Sequence, residues 1–301
     1  MACNPRSSGQ GDIGTRAFGG DPWWVGQMGR AYVEGVHQGS NGRVATVAKH
    51  FPGHGGSDRL PDEEVATVDK SLQELKRIEL VPFFAVTHDD GHPEAVTDAL
   101  MSSHIRYRGF QGNPLGGQFT APISFDAEGM GAILDLPELA GWQQRGLIVS
   151  DSLGVPAVRK YFDPSLSSFP HRRVAKEAFL AGNDLLLLSQ FDLNNIWADQ
   201  LANMRDTIAY FREEYQANPA FAARVDEAVV KILQLKLKLY PTFALSESLF
   251  EGAVRVPADK ALEVCGQGVR VTQRIANQAV TLLYPDANVL PAPRQSVHQG
   301  G

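Results

Sequence analysis

The run Val44–Asp58, VATVAKHFPGHGGSD, decides how this chain is read. Its first five residues, Val44 to Ala48, are apolar or β-branched, and they give way at once to Lys49, His50, Phe51, Pro52, Gly53, His54, Gly55 and Gly56. A short apolar run without alternation is the pattern of a strand buried on both faces, as in a parallel sheet. Pro52 and the three glycines then impose a tight, irregular path. Lys49 and His50 therefore stand where side chains leave the carboxyl end of a strand, the rim at which barrel enzymes keep their chemistry. Spacing alone serves equally well for a strand followed by a Gly/Pro turn and two incidental histidines.

Outward from this stretch the pattern alternates. Upstream, Asp21-Pro22 starts a helix over about Trp23–Gln38, with Trp24, Met28, Ala31, Tyr32 and Gly35 along one face. Downstream, a helix is expected over Lys70–Phe84, carrying Leu72, Leu75, Ile78, Glu79 and Phe83. A buried strand follows over Ala95–Ser102, ending in Ser103 and His104. Short helical segments at Phe125–Leu134 and Leu139–Arg145 lead to a third strand, Gly146–Ser150, which ends at Asp151. A helix at Val174–Ala181 leads to a fourth strand, Asp184–Ser189, and a long helix covers Phe221–Leu239. Alternation of this kind predicts a parallel sheet with helices outside it. Four strands are too few for a closed eight-stranded barrel, so either the sheet is open or strands are missing at the amino-terminal end. The loop-like residues 1–22, with no strand before them, favour the second reading, a barrel domain incomplete at that end. Residues 1–245 form that domain. Residues 246–301 read as a linker and the start of a second one, in which Val271–Leu283 passes from helix into strand.

Bulk properties narrow the function. The 301 residues are 43% hydrophobic and 21% charged, an ordinary globular composition. With 34 acidic against 28 basic residues the net charge is −6, and no basic run stands out, which argues against nucleic acid or an anionic membrane as the partner. Cys3 and Cys265 are the only cysteines, so no disulfide framework or thiolate metal cluster is available. No apolar run approaches the roughly 18 residues of a membrane span. The first ten residues carry no apolar signal segment, so an export signal would lie upstream of them. Composition fixes neither the compartment nor the oligomeric state.

Asp151 is the sharpest chemical candidate. It leaves a buried strand, Leu147-Ile148-Val149-Ser150, where a carboxylate can serve as nucleophile or metal ligand; it is equally placed to cap a following helix. Lys49 and His50 offer donors suited to sugar hydroxyls or a phosphate. His50, His54 and Asp58 match no common metal motif, and no cofactor is expected. His104 either lines the pocket or is a satisfied histidine at a strand end. Arg16 lies in a glycine-rich loop, Ile13–Gly19, which lacks the phosphate-binding patterns of nucleotide sites.

Lys49-His50-Phe51-Pro52-Gly53-His54-Gly55 resembles the signature of glycoside hydrolase family 3, in its β-N-acetylhexosaminidase branch. Ile13–Pro22 (IGTRAFGGDP) is similar to the family's substrate-binding loop, Leu147–Leu153 (LIVSDSL) to its nucleophile strand, and Ala181–Leu187 (AGNDLLL) to its last barrel strand. Val271–Leu290 resembles the opening of the second domain of longer members. The resemblance implies an α/β fold of the (β/α)8 barrel type and a retaining exo-glycosidase acting on a carbohydrate substrate. In that reading Asp151 is the nucleophile, and Arg16, Lys49 and His50 bind the sugar. The branch carries its acid/base histidine in an Asp-Ser-His element after the HFPGHG run. Here the matching loop, Gly56-Ser57-Asp58-Arg59-Leu60-Pro61-Asp62, has no histidine; Asp58 keeps the aspartate's place, and the acid/base role falls to Asp58, Asp62, Glu63, Glu64 or a residue of a further domain. The alternatives are a β-glucosidase of the same family, a non-catalytic carbohydrate-binding barrel, and a piece of a longer enzyme that is inactive alone.

Overall fold

The computed structural model describes residues 17–112, 120–240 and 258–279. The chain divides into two compact units, Met1–Thr242 and Phe243–Gly301. In the first, three parallel strands run in the order β1 (Val47–Phe51), β3 (Ala99–Ser102), β5 (Leu147–Ser150). A smaller parallel pair joins β2 (Ala66–Thr67) to β4 (Ile105–Arg106). The α/β class with a parallel sheet is thus as expected.

Strand β1 begins three residues later than the apolar run suggests. Lys49 and His50 lie inside it, and its pairing with β3 shifts register between Lys49↔Met101 and Phe51↔Ser102. His50 is the residue left over in that shift, as in a bulge that re-aims a side chain. The Lys49–His50 and Phe51–Pro52 peptides are both cis.

Helix α1 (Pro22–Gly39) starts as its sequence indicates, with the Asp21 carboxylate accepting the Trp24 N–H at 3.0 Å and proline in the first turn. Its expected face is turned outward, however: Trp24, Met28 and Tyr32 are exposed. The buried face is Val25, Gly26, Gly29, Val33 and His37. The glycines explain the choice, because a Cβ on Gly26 would stand 2.8 Å from that of Ala85 on the neighbouring helix. Close backbone approach wins over the larger apolar stripe.

The single helix expected over Lys70–Phe84 is two, α2 (Leu72–Arg77) and α3 (Val81–Thr87). Ser71 and Glu74 form a reciprocal capping box at the first, and Pro82 sets the start of the second. The break between them turns Glu79 inward. Helices α4 (Arg108–Gln111), α5 (Ala127–Leu134) and α6 (Ala140–Gln143) follow, the last two close to expectation. Then come α7 (Pro156–Phe162), α8 (His171–Leu180), α9 (Trp197–Ala217) and α10 (Pro219–Leu239). The elements expected above do not include α4, α7 or α9.

The fourth strand is reduced to a bridge between Val149 and Leu185. Beyond it the Leu187 N–H goes to the Ser150 hydroxyl at 2.9 Å instead of a strand carbonyl, so a side chain interrupts the ladder. Leu185 and Leu187 are correspondingly exposed rather than buried.

The main core packs Phe51, Leu100 and Ile148 of the sheet against Phe83, Met130, Ile133 and Trp142. A second cluster joins Leu153, Val158, Val174, Ala178 and Phe191. At the amino ends of the strands two carboxylates tie the sheet to α10. Asp98 accepts the Thr46 N–H at 2.8 Å and pairs with Lys238 at 2.5 Å. Asp184 accepts the Ile148 N–H at 3.0 Å and pairs with Arg224 at 2.8 Å and Lys231 at 3.5 Å. In the second unit a helix, α11 (Ala258–Gln278), covers the first part of the expected Val271–Leu283 segment, and residues 280–283 lie outside the described ones.

Candidate active site

Strand β3 lies between β1 and β5, so the carboxyl ends of the outer two converge above it. The Asp151 N–H donates to the Ser102 carbonyl at 3.2 Å, carrying the residue just past the end of β5 over its neighbour. One carboxylate oxygen of Asp151 accepts the Ser152 N–H at 2.8 Å. The other faces His50 Nε2 at 3.6 Å, and both side chains are less than one-fifth exposed. Two groups 101 positions apart in sequence thus meet at one rim.

Burial drives the His50 imidazole down to about 3, with the neighbouring His54 and Lys49 adding to the fall and the Asp151 carboxylate opposing it. His50 is therefore neutral at physiological pH, able to donate one hydrogen bond and accept another, the pair of roles a sugar hydroxyl matches. Its ring meets that of His54 edge to face, 5.5 Å between centroids. Lys49, next to it, is exposed at the same rim.

The loop after β1 is held from beneath. Gly53 has φ +144°, open to glycine alone, and a Cβ there would stand 2.4 Å from that of Glu79. The buried Glu79 carboxylate is paired with Lys70 under the loop. The Tyr107 hydroxyl donates to the Gly53 carbonyl at 2.7 Å. Burial pushes that phenol far above its usual range, so it remains a donor. Only the glycines signal this support in the sequence, because Glu79 and Tyr107 come from separate elements.

Asp58 is placed differently. One of its oxygens accepts the Thr67 N–H at 2.7 Å and the other takes the Arg59 guanidinium at 2.9 Å. Arg59 in turn reaches Glu64 at 2.8 Å. The side chain is exposed, and these bonds give it an anchoring part in the loop. Arg16 lies outside the described residues. His104 is buried behind the rim, stacked on Phe125 with 5.7 Å between ring centroids. Among the described residues no group of three or more His, Cys, Asp or Glu side chains is placed to hold a metal ion, and no helix is long and apolar enough to cross a membrane.

Comparison with known proteins gives this arrangement a family. A β-hexosaminidase of Xylella fastidiosa is 30% identical over 197 residues, 65% of this chain and 50% of that protein. One from Hydrogenovibrio crunogenus is 36% identical over 104 residues, 35% of this chain and 27% of that protein. This chain therefore spans half or less of these curated relatives. Among solved structures, a glycoside hydrolase family 3 β-N-acetylglucosaminidase from a Paenibacillus species superposes with a TM-score of 0.59 at 25% identity, covering 86% of this chain and 42% of that one. Residues 4–235 match the model of the glycosyl hydrolase family 3 N-terminal domain, and the chain belongs to that family.

Proposed function

We propose that this chain carries the nucleophile side of a retaining exo-glycosidase that releases terminal β-linked N-acetylhexosamine. The observation that carries the proposal is the meeting of Asp151 and a neutral His50 at the carboxyl rim of the sheet. In the first step an Asp151 oxygen bonds to the anomeric carbon, the glycosidic C–O bond breaks, and the departing oxygen takes a proton from the acid. In the second step water attacks the glycosyl ester, passes its proton to the conjugate base, and frees Asp151. Lys49 at the rim, with His50 and Arg16, binds the sugar's hydroxyls. Four parallel segments, β1, β3, β5 and the Leu185 bridge, support the finer reading of the sheet as an arc of a (β/α)8 barrel, with a second domain beginning after residue 245.

On the resemblance, Asp58 supplies the proton. Both of its oxygens are engaged by Thr67 and Arg59, so donation requires release of the Arg59 ion pair. General acid help contributes about 10²–10⁴-fold. That engagement, with the missing histidine, favours one second reading: a barrel that binds sugar without cleaving it.

The test is hydrolysis of aryl β-N-acetylglucosaminide and aryl β-glucoside by the chain and by its Asp151→Asn variant. Turnover of the first substrate that disappears in the variant supports the proposal. Turnover that survives the substitution sinks it, and sugar binding with no turnover of either substrate establishes the second reading. Asp58→Ala should slow substrates with poor leaving groups far more than those with good ones.

A further inference from the structure

His104 stood in the sequence as a histidine after a strand with no assigned role. It is 2% exposed, and both ring nitrogens are engaged. Nε2 lies 3.0 Å from the Ser152 carbonyl, and Nδ1 lies 2.8 Å from the Ser124 hydroxyl. A carbonyl oxygen only accepts, so Nε2 carries the proton and Nδ1 accepts from Ser124. Burial holds the ring below its ordinary titration range, which keeps this neutral tautomer in place at neutral pH.

The bonds continue on both sides. Ser124 is fully buried, and its carbonyl accepts from the Asn183 amide at 3.0 Å. The same amide reaches the Ala178 carbonyl at 2.6 Å, and its oxygen accepts from the Ser102 hydroxyl at 2.6 Å. Ser102 is the residue whose carbonyl takes the Asp151 N–H. A closed circuit, Ser102–Asn183–Ser124–His104–Ser152, therefore runs under the main chain on both sides of Asp151.

We infer that His104 is a positioning residue for the nucleophile, acting through the Ser152 carbonyl to fix the backbone from which the Asp151 carboxylate projects. The inference rests on the reading of Asp151 as the nucleophile. It goes beyond it by assigning part of the reactive geometry to a side chain that touches no substrate. The carbonyl at Ser152 sets the Ser152–Leu153 peptide plane, so His104 restrains Ser152 from its carboxyl side, while the N–H on the other side of the same residue is the donor to the Asp151 carboxylate. Releasing the carbonyl lets that plane turn, and a displacement of about 1 Å at a reacting group costs up to about 10²-fold in rate.

The test compares wild type, His104→Leu and His104→Gln. Gln keeps an N–H donor near the Nε2 position and an acceptor for Ser124, whereas Leu keeps neither. Two measurements are made on each: trapping of Asp151 by a 5-fluoro N-acetylhexosaminyl fluoride, followed by intact mass, and hydrogen exchange at the amides of Ser152 and Leu153. In trapping, the Asp151 oxygen bonds to the anomeric carbon and fluoride leaves. The expected result for Leu is a trapping rate constant at least about tenfold lower with inhibitor affinity within twofold of wild type, and faster exchange at both amides. Gln restores both. Wild-type trapping and exchange in Leu overturn the inference, and so does equal impairment in Leu and Gln, which marks a packing effect. If wild type is not trapped, the nucleophile reading fails. The exchange arm then still decides the positioning role by the same Leu–Gln contrast. Should Leu not fold, His104→Asn, which reaches Ser124 but not Ser152, replaces it with the same expected losses.

Discussion

Replacing Asp184 by Asn tests how the strand that delivers Asp151 is fixed at its other end. The Asp184 side chain is 1% exposed, and its partners Arg224 and Lys231 are 17% and 16% exposed. One oxygen takes Arg224, while the other takes both the Ile148 N–H and Lys231. Asn is isosteric, so no cavity opens, but only one side-chain oxygen remains. If that oxygen stays on Ile148, the new NH₂ faces the Arg224 guanidinium, donor against donor. If it turns to Arg224, the Ile148 N–H is orphaned. Each orientation costs roughly 1–3 kcal/mol for the unmet donor and loses a charge-assisted bond of about 1.5–3 kcal/mol. Breaking a fully buried pair costs about 3–5 kcal/mol, and the one-sixth exposure of both cations lets water recover part of it. The expected destabilisation is about 3 kcal/mol. In urea, with an m-value of about 2–3 kcal/mol/M, the midpoint falls by about 1 M or more. Tm drops by roughly 6–12 °C on the usual scaling for a unit of this size. Urea titrations followed by tryptophan fluorescence and far-UV circular dichroism at pH 7 read both midpoint and slope. A midpoint shift below about 0.2 M at an unchanged m-value would refute the idea that this carboxylate fastens β5 to α10.

The titration of His50 should appear as acid sensitivity. Its folded-state value, about 3, lies below the ordinary 6.5, so between these limits the unfolded chain takes up a proton that the folded chain refuses. Stability from this group is therefore intact above about pH 6.5 and declines as the pH falls toward 3, at up to about 1.4 kcal/mol per pH unit. His104, also lowered by burial, adds in the same direction. His50→Gln should flatten the decline measured by urea midpoints between pH 4 and 7, and an unchanged slope would count against the burial argument. Gly53→Ala places a methyl against Glu79 at a positive φ, and should cost about 2–4 kcal/mol from overpacking and the left-handed backbone together. A thermal shift under 2 °C would show that the loop has room to move.

The parts of the fold that read well from sequence were those written locally. The Asp21-Pro22 cap announced α1, and the unbroken apolar run at Leu147–Ser150 announced β5 and put Asp151 at its end. What failed was decided at a distance. Nothing local tells that α1 packs through Gly26 and Gly29 while Trp24 and Tyr32 face outward. Only the Ala85 methyl opposite, brought there by α3, makes the small face the buried one. Helix α9 is a different case: Leu201, Met204, Ile208, Phe211 and Tyr215 recur along it at helical spacing, so its local signal is present, and Met204 and Phe211 pack partly buried against the second cluster. The site divides in the same way. Lys49, His50 and Asp151 were marked by strand ends, whereas Glu79, Tyr107 and the Ser102–Asn183–Ser124–His104 circuit are polar residues whose meaning comes only from partners on other elements.

The segment between β1 and β2 has a further consequence for catalysis. Asp58 and Thr67 exchange two hydrogen bonds across it, the Ser57 N–H goes to the His54 carbonyl at 2.9 Å, and the Ala157 N–H goes to the Asp62 carbonyl at 3.0 Å. A stretch stitched along its length behaves as a fixed wall rather than a closing lid. Under the proposed glycosidase reading, freeing Asp58 from Arg59 is then a side-chain movement over a fixed loop backbone and not a swing of the loop. Under the same reading, loosening these bonds would spread the positions of the groups the loop presents without adding a useful motion.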